Sequence, residues 1–191
     1  MALKLHAARP VHFIPLQPVH LKLLQVVHLF RCTHIKYVED HNGQDEHLWS
    51  KLAGKGMTDS WSGYAFEQVC LHHIPKIKKK LGINGIICNV HSWSCRPFID
   101  ENGTTWKGTQ IDLLIDRADE VINLCEIKYC SDKYVITADY EERLRNRQSL
   151  LRKVTKTNKA LYHTFITTYG VAHNLHSGIV QSEVTMEDLF E

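Results

Sequence analysis

Three ionisable side chains on two neighbouring predicted strands carry the strongest chemical signal in this sequence. Residues 121–129 form an apolar run in which Glu126 and Lys128 are two positions apart. In a strand both side chains therefore emerge on one face. The preceding predicted strand, 109–115, contains Asp112. Because the polar turn between the strands is short, they should pair antiparallel, which lets Asp112 approach Glu126.

This arrangement indicates hydrolysis of phosphodiester bonds. Two carboxylates held close together repel each other unless a cation lies between them, and hard oxygen ligands suit Mg²⁺ or Mn²⁺. Asp112 and Glu126 are the candidate metal ligands, with the carbonyl of Ile127 as a further one. The metal would polarise a phosphoryl oxygen and activate a bound water, while Lys128 would orient that water or stabilise developing negative charge. Glu67, on a preceding predicted helix, is a candidate outer ligand or second-metal ligand.

A structural role for the same residues is the alternative. An Asp, a Glu and a Lys at this spacing are common by chance and usually form a solvated face with weak ion pairs. The neighbouring residues favour the chemical interpretation, because an ordinary surface ion pair is not usually surrounded by core residues. These apolar neighbours are Leu113, Leu114, Ile115, Ile122 and Leu124.

A basic helix supplies the second signal. From Arg143 to Lys159 the sequence has seven Lys or Arg residues and no Asp or Glu. Such a helix can contact successive phosphates of a nucleic acid. Arg143 and Arg147 are one turn apart and are the pair expected nearest the acidic residues. The alternative is a solvated helix face, balanced by Asp139, Glu141 and Glu142 just before it.

Composition is typical of a soluble protein with one domain and an extra arm. The 191 residues are 43% hydrophobic and 23% charged, which excludes global disorder and a collagen-like fibre. A net charge of +2 gives no global field that would select a partner. No apolar run is long enough to cross a membrane, and the first residues make a poor signal peptide. Without any C-x-x-C pair, the six cysteines indicate reduced thiols and a cytoplasmic location.

The order of elements predicts an α/β fold with a mixed central sheet flanked by helices. A helix should begin near Ser62, kink or break near Pro75 and end at Gly82. Residues 1–36 form a divergent arm with a helix near Leu21–Tyr37, residues 37–60 a connecting segment and residues 61–191 the main domain. The remaining predicted elements are strands at 86–90, 109–115 and 121–129, a helix at 138–155 and a strand at 162–168, giving the order helix–three strands–helix–strand.

Three blocks of sequence resemble a known family. They are residues 60–67 (SWSGYAFE), 108–117 (GTQIDLLIDR) and 126–129 (EIKY). All three are similar to the C-terminal domain of bacterial and archaeal AAA-type ATPases, which belongs to the PD-(D/E)XK nuclease-like superfamily. The tail of the chain, from 165–170 through 188–190, also resembles the end of that domain, so that the resemblance runs from about residue 37 to residue 191.

The resemblance implies a restriction-endonuclease-like core with Asp112, Glu126 and Lys128 as the catalytic triad and Glu67 as the helix acid. It also implies an ATPase partner, normally fused ahead of this domain. No ATPase module precedes residue 37, so we expect a stand-alone protein or a remnant of a longer ATPase. The leading hypothesis is a Mg²⁺-dependent nuclease acting on DNA. The alternative is a catalytically silent module that binds nucleic acid or regulates an ATPase.

Overall fold

The computed structural model describes residues 13–14 and 56–191. The helix predicted near Leu21–Tyr37 lies outside the described residues. The helices are α1 (Gly56–His72), α2 (Ile74–Lys80) and α3 (Ala138–Thr155). The strands are β1 (Phe13–Ile14), β2 (Cys88–Cys95), β3 (Phe98–Ile99), β4 (Thr105–Trp106), β5 (Thr109–Arg117), β6 (Val121–Lys128), β7 (Ala160–Thr167) and β8 (Val180–Thr185).

A mixed sheet forms the centre of the fold. In the part of the chain that the structure describes, its six strands lie in the order β1–β2–β5–β6–β7–β8, while β3 and β4 form a separate hairpin. Neighbours from β1 to β6 are antiparallel. β7 is parallel to both β6 and β8, and α3 connects β6 to β7 as a parallel pair requires. The predicted α/β class and the antiparallel pairing of β5 with β6 are therefore confirmed.

The paired helices α1 and α2 follow from the position of one proline. Pro75 lies in the first turn of α2, where its missing N–H costs no helical hydrogen bond, so the chain breaks between the two helices. Gly82, just after α2, adopts a φ of 68°, a left-handed conformation that glycine adopts easily. The predicted break and end are confirmed. The predicted start at Ser62 is wrong, because α1 begins at Gly56 and Ser62 lies inside it.

Helices cover both faces of the sheet and bury its central strands. On one face, Phe66 and Ile77 of the first two helices pack in a cluster that includes Leu113 of β5. On the other face, Leu151 of α3 packs with Leu114 of β5. A strand covered on both faces is apolar almost continuously, which explains why β5 and β6 combine apolar runs with so few polar positions.

Two further findings concern the helices and the cysteines of the described residues. None of their helices is long and apolar enough to span a membrane. The cysteines at 70, 88, 95, 125 and 130 are free thiols. Cys70 and Cys125 are buried, and the other three are half-buried.

Neighbouring residues pack closely against Gly108, just before β5. A Cβ at Gly108 would lie 2.7 Å from Cδ of Pro97 and 2.8 Å from the carbonyl oxygen of Cys95. We expect Gly108→Ala to lower the free energy of unfolding by about 1–3 kcal/mol, because backbone has to move. Urea denaturation measures this. Gly85→Ala, with nothing within 4 Å of its Cβ, is the matched control; equal stability of the two variants would contradict the close approach.

Candidate functional site

Glu126 is a buried carboxylate near the end of β6. Only 5% of the residue is exposed. Alternation along the strand turns Cys125 toward the α1–α2 face and Glu126 toward α3. The hydroxyl of Tyr140 donates a hydrogen bond of 2.7 Å to Oε2, and the Arg147 guanidinium forms an ion pair with Oε1. Both carboxylate oxygens are therefore satisfied, as a buried charge requires.

Tyr140 lies at the centre of a cluster of positive charge. The Nζ of Lys128 is 5.4 Å from the centroid of its ring, and the guanidinium carbon of Arg143 is 5.5 Å from it. Cations at such distances are attracted to the face of an aromatic ring. Burial and the nearby Glu126 carboxylate raise the pKa of Tyr140, so its hydroxyl stays protonated and remains a donor. Lys128 and Arg143 thus lie beside the Tyr140 ring, and Arg147 contacts Glu126. We call these five residues the Glu126 cluster.

Local sequence explains why α3 presents these side chains. Thr137 caps the helix, its side chain accepting a hydrogen bond of 3.3 Å from the backbone N–H of Tyr140. Leu144 and Leu151 are buried and fix which side of the helix faces the sheet. Lys156 ends the helix in a left-handed conformation, with a φ of 54°. The predicted bounds of this helix, 138–155, are confirmed.

Arg147 also connects α3 to β5. Besides its ion pair with Glu126, its Nε donates a hydrogen bond of 3.1 Å to the hydroxyl of Thr109. Of the two arginines predicted to contact phosphate, Arg143 is exposed, whereas the side chain of Arg147 is turned toward the sheet.

Asp112 lies at an irregularity of β5. The register between β2 and β5 shifts at His91–Trp93, which leaves Asp112 and Leu113 opposite the single residue Ser92. This is a β-bulge, an insertion that interrupts the alternation of side chains and is common beside functional sites.

The partners of Asp112 differ from those of Glu126. Its carboxylate accepts a hydrogen bond of 2.6 Å from the side chain of Gln110. Pairing of β5 with β6 ends at Leu113 and Cys125, and one further residue of the same register would set Asp112 opposite Glu126. The two carboxylates are thus neighbours by strand order and have separate partners in the structure.

Glu67 and Ile127 belong to the side of the sheet covered by α1. Glu67 is a half-buried residue of α1, and its charge adds to the effect of burial in raising the pKa of Cys70 to about 12. The Ile127 side chain packs in the cluster beneath α1 and α2. Neither side chain is part of the Glu126 cluster.

The chemical type of these donors suits Mg²⁺ or Mn²⁺, since both metals prefer carboxylate oxygens. In the described residues, however, no group of three or more His, Cys, Asp or Glu side chains converges as a metal site. The Arg147 guanidinium occupies the place of a cation at Oε1 of Glu126. A divalent ion bound there would have to displace Arg147.

Sequence reasoning missed Tyr140 as a member of this site. Tyr140 and Arg147 are seven positions apart, a spacing that puts two residues on one face of a helix. A buried carboxylate on the facing strand needs both a donor and a cation. These two facts together would have indicated the pair.

His163 of β7 is a buried neutral histidine near the Glu126 cluster. It is 1% exposed, and its Nε2 is 3.2 Å from Oε1 of Gln148. Its Nδ1 is buried and has no hydrogen-bond partner within the described part of the chain. Burial lowers the pKa of His163 to about 4, although the negative charge of Glu126 acts in the opposite direction and raises the pKa.

We expect His163 to make the protein sensitive to acid. The unfolded chain binds this proton near pH 6.5 and the folded chain only near pH 4, so stability is lost as the pH falls through that window. The contribution at pH 5 is roughly 2 kcal/mol. Urea denaturation at pH 7 and pH 5 measures it. His163→Gln should lose less stability over this interval than the wild type; an equal loss would assign the acid sensitivity to other groups.

Comparisons with known proteins leave the function open. No family model matches the sequence, and no curated protein matches it. A solved structure of a protein of unknown function, AF1548, aligns with 13% identity and a TM-score of 0.37. The alignment covers 63% of this chain and 64% of that one.

Proposed function

We propose that this chain is a Mg²⁺- or Mn²⁺-dependent nuclease that hydrolyses phosphodiester bonds in DNA. The observation that supports this most directly is the Glu126 cluster, in which a buried carboxylate contacts Arg147 and Tyr140, and Lys128 and Arg143 lie beside the tyrosine ring. The carboxylate attracts a metal ion, and the surrounding positive charges attract a phosphate group. Hydrolysis of a phosphodiester needs both kinds of group close together.

Each residue has a separate role in this proposal. Glu126 and Asp112 would be the acidic ligands, and the Ile127 carbonyl would add an oxygen. Glu67 lies on the α1 side of the sheet, opposite the Glu126 cluster, and has no role in this proposal. The bound metal supplies a polarised phosphoryl oxygen and an activated water. Lys128 orients the attacking water or stabilises negative charge that develops on the phosphate.

Two residues of α3 prepare Glu126 for this role. Tyr140 holds Oε2 by its hydrogen bond and so fixes the orientation of the carboxylate. Arg147 neutralises the buried Glu126 carboxylate, and it would have to move away from Oε1 for Glu126 to hold a divalent ion there. Arg143, exposed beside Tyr140, contacts a phosphate of the DNA.

A cleavage assay tests the proposal. Purified protein is incubated with supercoiled plasmid, linear duplex and single-stranded DNA, each with Mg²⁺, Mn²⁺ or EDTA. We expect cleavage with either metal and none with EDTA, and Glu126→Gln should abolish it. A parallel RNA substrate decides the choice of nucleic acid. Cleavage that is unchanged in Glu126→Gln would come from a contaminant or another site.

The second candidate is a catalytically silent module that binds nucleic acid or regulates an AAA-type ATPase. It is favoured by the occupied oxygens of Glu126 and by the absence of a converging donor group in the described residues. Isothermal titration calorimetry separates the two candidates. The nuclease should bind Mg²⁺ or Mn²⁺ at millimolar concentration or below, whereas DNA binding without any divalent-ion binding would identify the silent module.

A further inference from the structure

We infer that a groove along α3 binds the sugar–phosphate backbone of the nucleic acid on which the Glu126 cluster acts. This inference rests on the proposed function and extends it to a second contact surface. The groove has a volume of about 560 Å³. Its lining residues are Arg145, Gln148, Ser149, Arg152 and Lys153. Every one of them can donate a hydrogen bond, three carry a positive charge and none is acidic.

The spacing of these residues makes the groove follow the helix axis. Arg145, Gln148, Ser149 and Arg152 are three, four and seven positions apart, which places them on one helical face. From Arg145 to Lys153 the helix rises about 12 Å at 1.5 Å per residue. At about 3.4 Å of rise per nucleotide in one strand of B-DNA, this length accommodates roughly three nucleotides.

The cations of the groove are held in place before any ligand binds. Nε of Arg145 donates a hydrogen bond of 3.0 Å to Glu141, and the arginine side chain remains 63% exposed. Lys153 lies 2.6 Å from a carboxylate oxygen of Asp100 and 5.1 Å from the centre of the Trp106 ring, with 38% of its side chain exposed. Side chains fixed in this way lose little further entropy on binding.

Arg152 is positioned by backbone alone. Its two terminal nitrogens donate hydrogen bonds of 3.3 and 3.4 Å to the carbonyl oxygens of Thr157 and Lys159. Three cations line the groove. Two carboxylates, Glu141 and Asp100, contact them, so one positive charge is left over. The groove is therefore suited to an anionic ligand with several phosphates.

The position of the groove connects it to the candidate catalytic residues. Arg147, which binds Glu126, belongs to the same helix but points about 160° away from Arg145, toward the sheet. Gln148 is also the partner of the buried His163, and its Nε2 donates to the carbonyl of Leu161 at 3.5 Å. A backbone that follows the groove toward the N-terminus of α3 reaches the turn that carries Arg143, the exposed arginine of the Glu126 cluster.

Ser149 allows a test that removes none of these contacts. It is exposed in the middle of the groove. Fluorescence anisotropy with a labelled DNA duplex, in EDTA to prevent cleavage, measures the dissociation constant over a series of salt concentrations. We expect Ser149→Glu to weaken binding about tenfold at low salt and to reduce the slope of log affinity against log salt by about 1, as for the loss of one phosphate contact.

A control variant separates charge in the groove from charge elsewhere on the surface. Asn84→Glu adds the same charge at an exposed position just beyond α2, away from α3, and should leave binding nearly unchanged. Circular dichroism and melting curves establish that all variants are folded.

The outcomes distinguish this inference from the proposed function. Wild-type affinity in Ser149→Glu would overturn the groove and leave the proposed nuclease standing. A wild-type protein that does not bind any nucleic acid would overturn both. If Ser149→Glu instead lost binding to polyglutamate while DNA binding was unchanged, the groove would be a surface for acidic proteins and the inference would be wrong.

Discussion

Replacing Glu126 by alanine is expected to lower the free energy of unfolding by about 3 kcal/mol. The change leaves the largely buried Arg147 guanidinium without its counter-charge and the Tyr140 hydroxyl without its acceptor. Breaking a buried ion pair from one side costs about 3–5 kcal/mol, and the partial exposure of Arg147 favours the lower end of that range. Urea denaturation at pH 7 measures the effect.

A double-mutant cycle made of Glu126→Leu, Arg147→Leu and their combination shows whether the ion pair itself causes such a loss. Glu126→Leu with Arg147→Leu removes both charges and should recover much of the stability, because no uncompensated buried charge remains. Glu142→Ala, at an exposed acidic position of the same helix, should change stability by less than about 0.5 kcal/mol. If Glu126→Ala were as stable as Glu142→Ala, the pair would not hold α3 on the sheet.

Replacing Lys128 by methionine should reduce the rate of metal-dependent DNA cleavage by at least about 100-fold. In the proposed function, the Nζ of Lys128 supplies a positive charge that acts on the attacking water or the developing phosphate charge. Loss of one such group typically costs a factor of about 10²–10³ in rate. Single-turnover cleavage with excess protein measures the chemical step. DNA affinity in EDTA should change much less, since the other cations of the Glu126 cluster remain.

Lys79→Met is the matched control for this prediction. Lys79 is exposed on α2, which packs on the opposite face of the sheet from α3, and its removal changes the net charge equally. It should cleave DNA at close to the wild-type rate. A Lys128→Met protein with that same rate would assign the activation of water to another residue.

Local patterns predicted the elements whose determinants lie close together in the sequence. The bounds of α3 follow from its cap at Thr137 and from its buried leucines, both of which act within the helix. The antiparallel pairing of β5 with β6 follows from a turn too short for any other connection. The break before Pro75 follows from the geometry of that one residue.

The same patterns gave poorer predictions where pairing decides the conformation. Strand β8 was not predicted, because Gln181, Ser182 and Glu183 interrupt its apolar character and only Val184 is fully buried. It is a strand because its backbone pairs with β7. The first strand was predicted at 86–90, whereas β2 extends over Cys88–Cys95, where it pairs with β5.

In the candidate site, too, some features follow from the local sequence and others only from the tertiary structure. Alternation along β6 by itself placed Glu126 and Lys128 on one face, because a strand turns successive side chains to opposite sides. Only the tertiary structure put Arg147 on Glu126 rather than on the surface, since a buried carboxylate takes whichever cation the packed helix brings to it. The bulge at Asp112 was likewise decided by the pairing of β5 with β2, which a residue pattern within one strand does not contain.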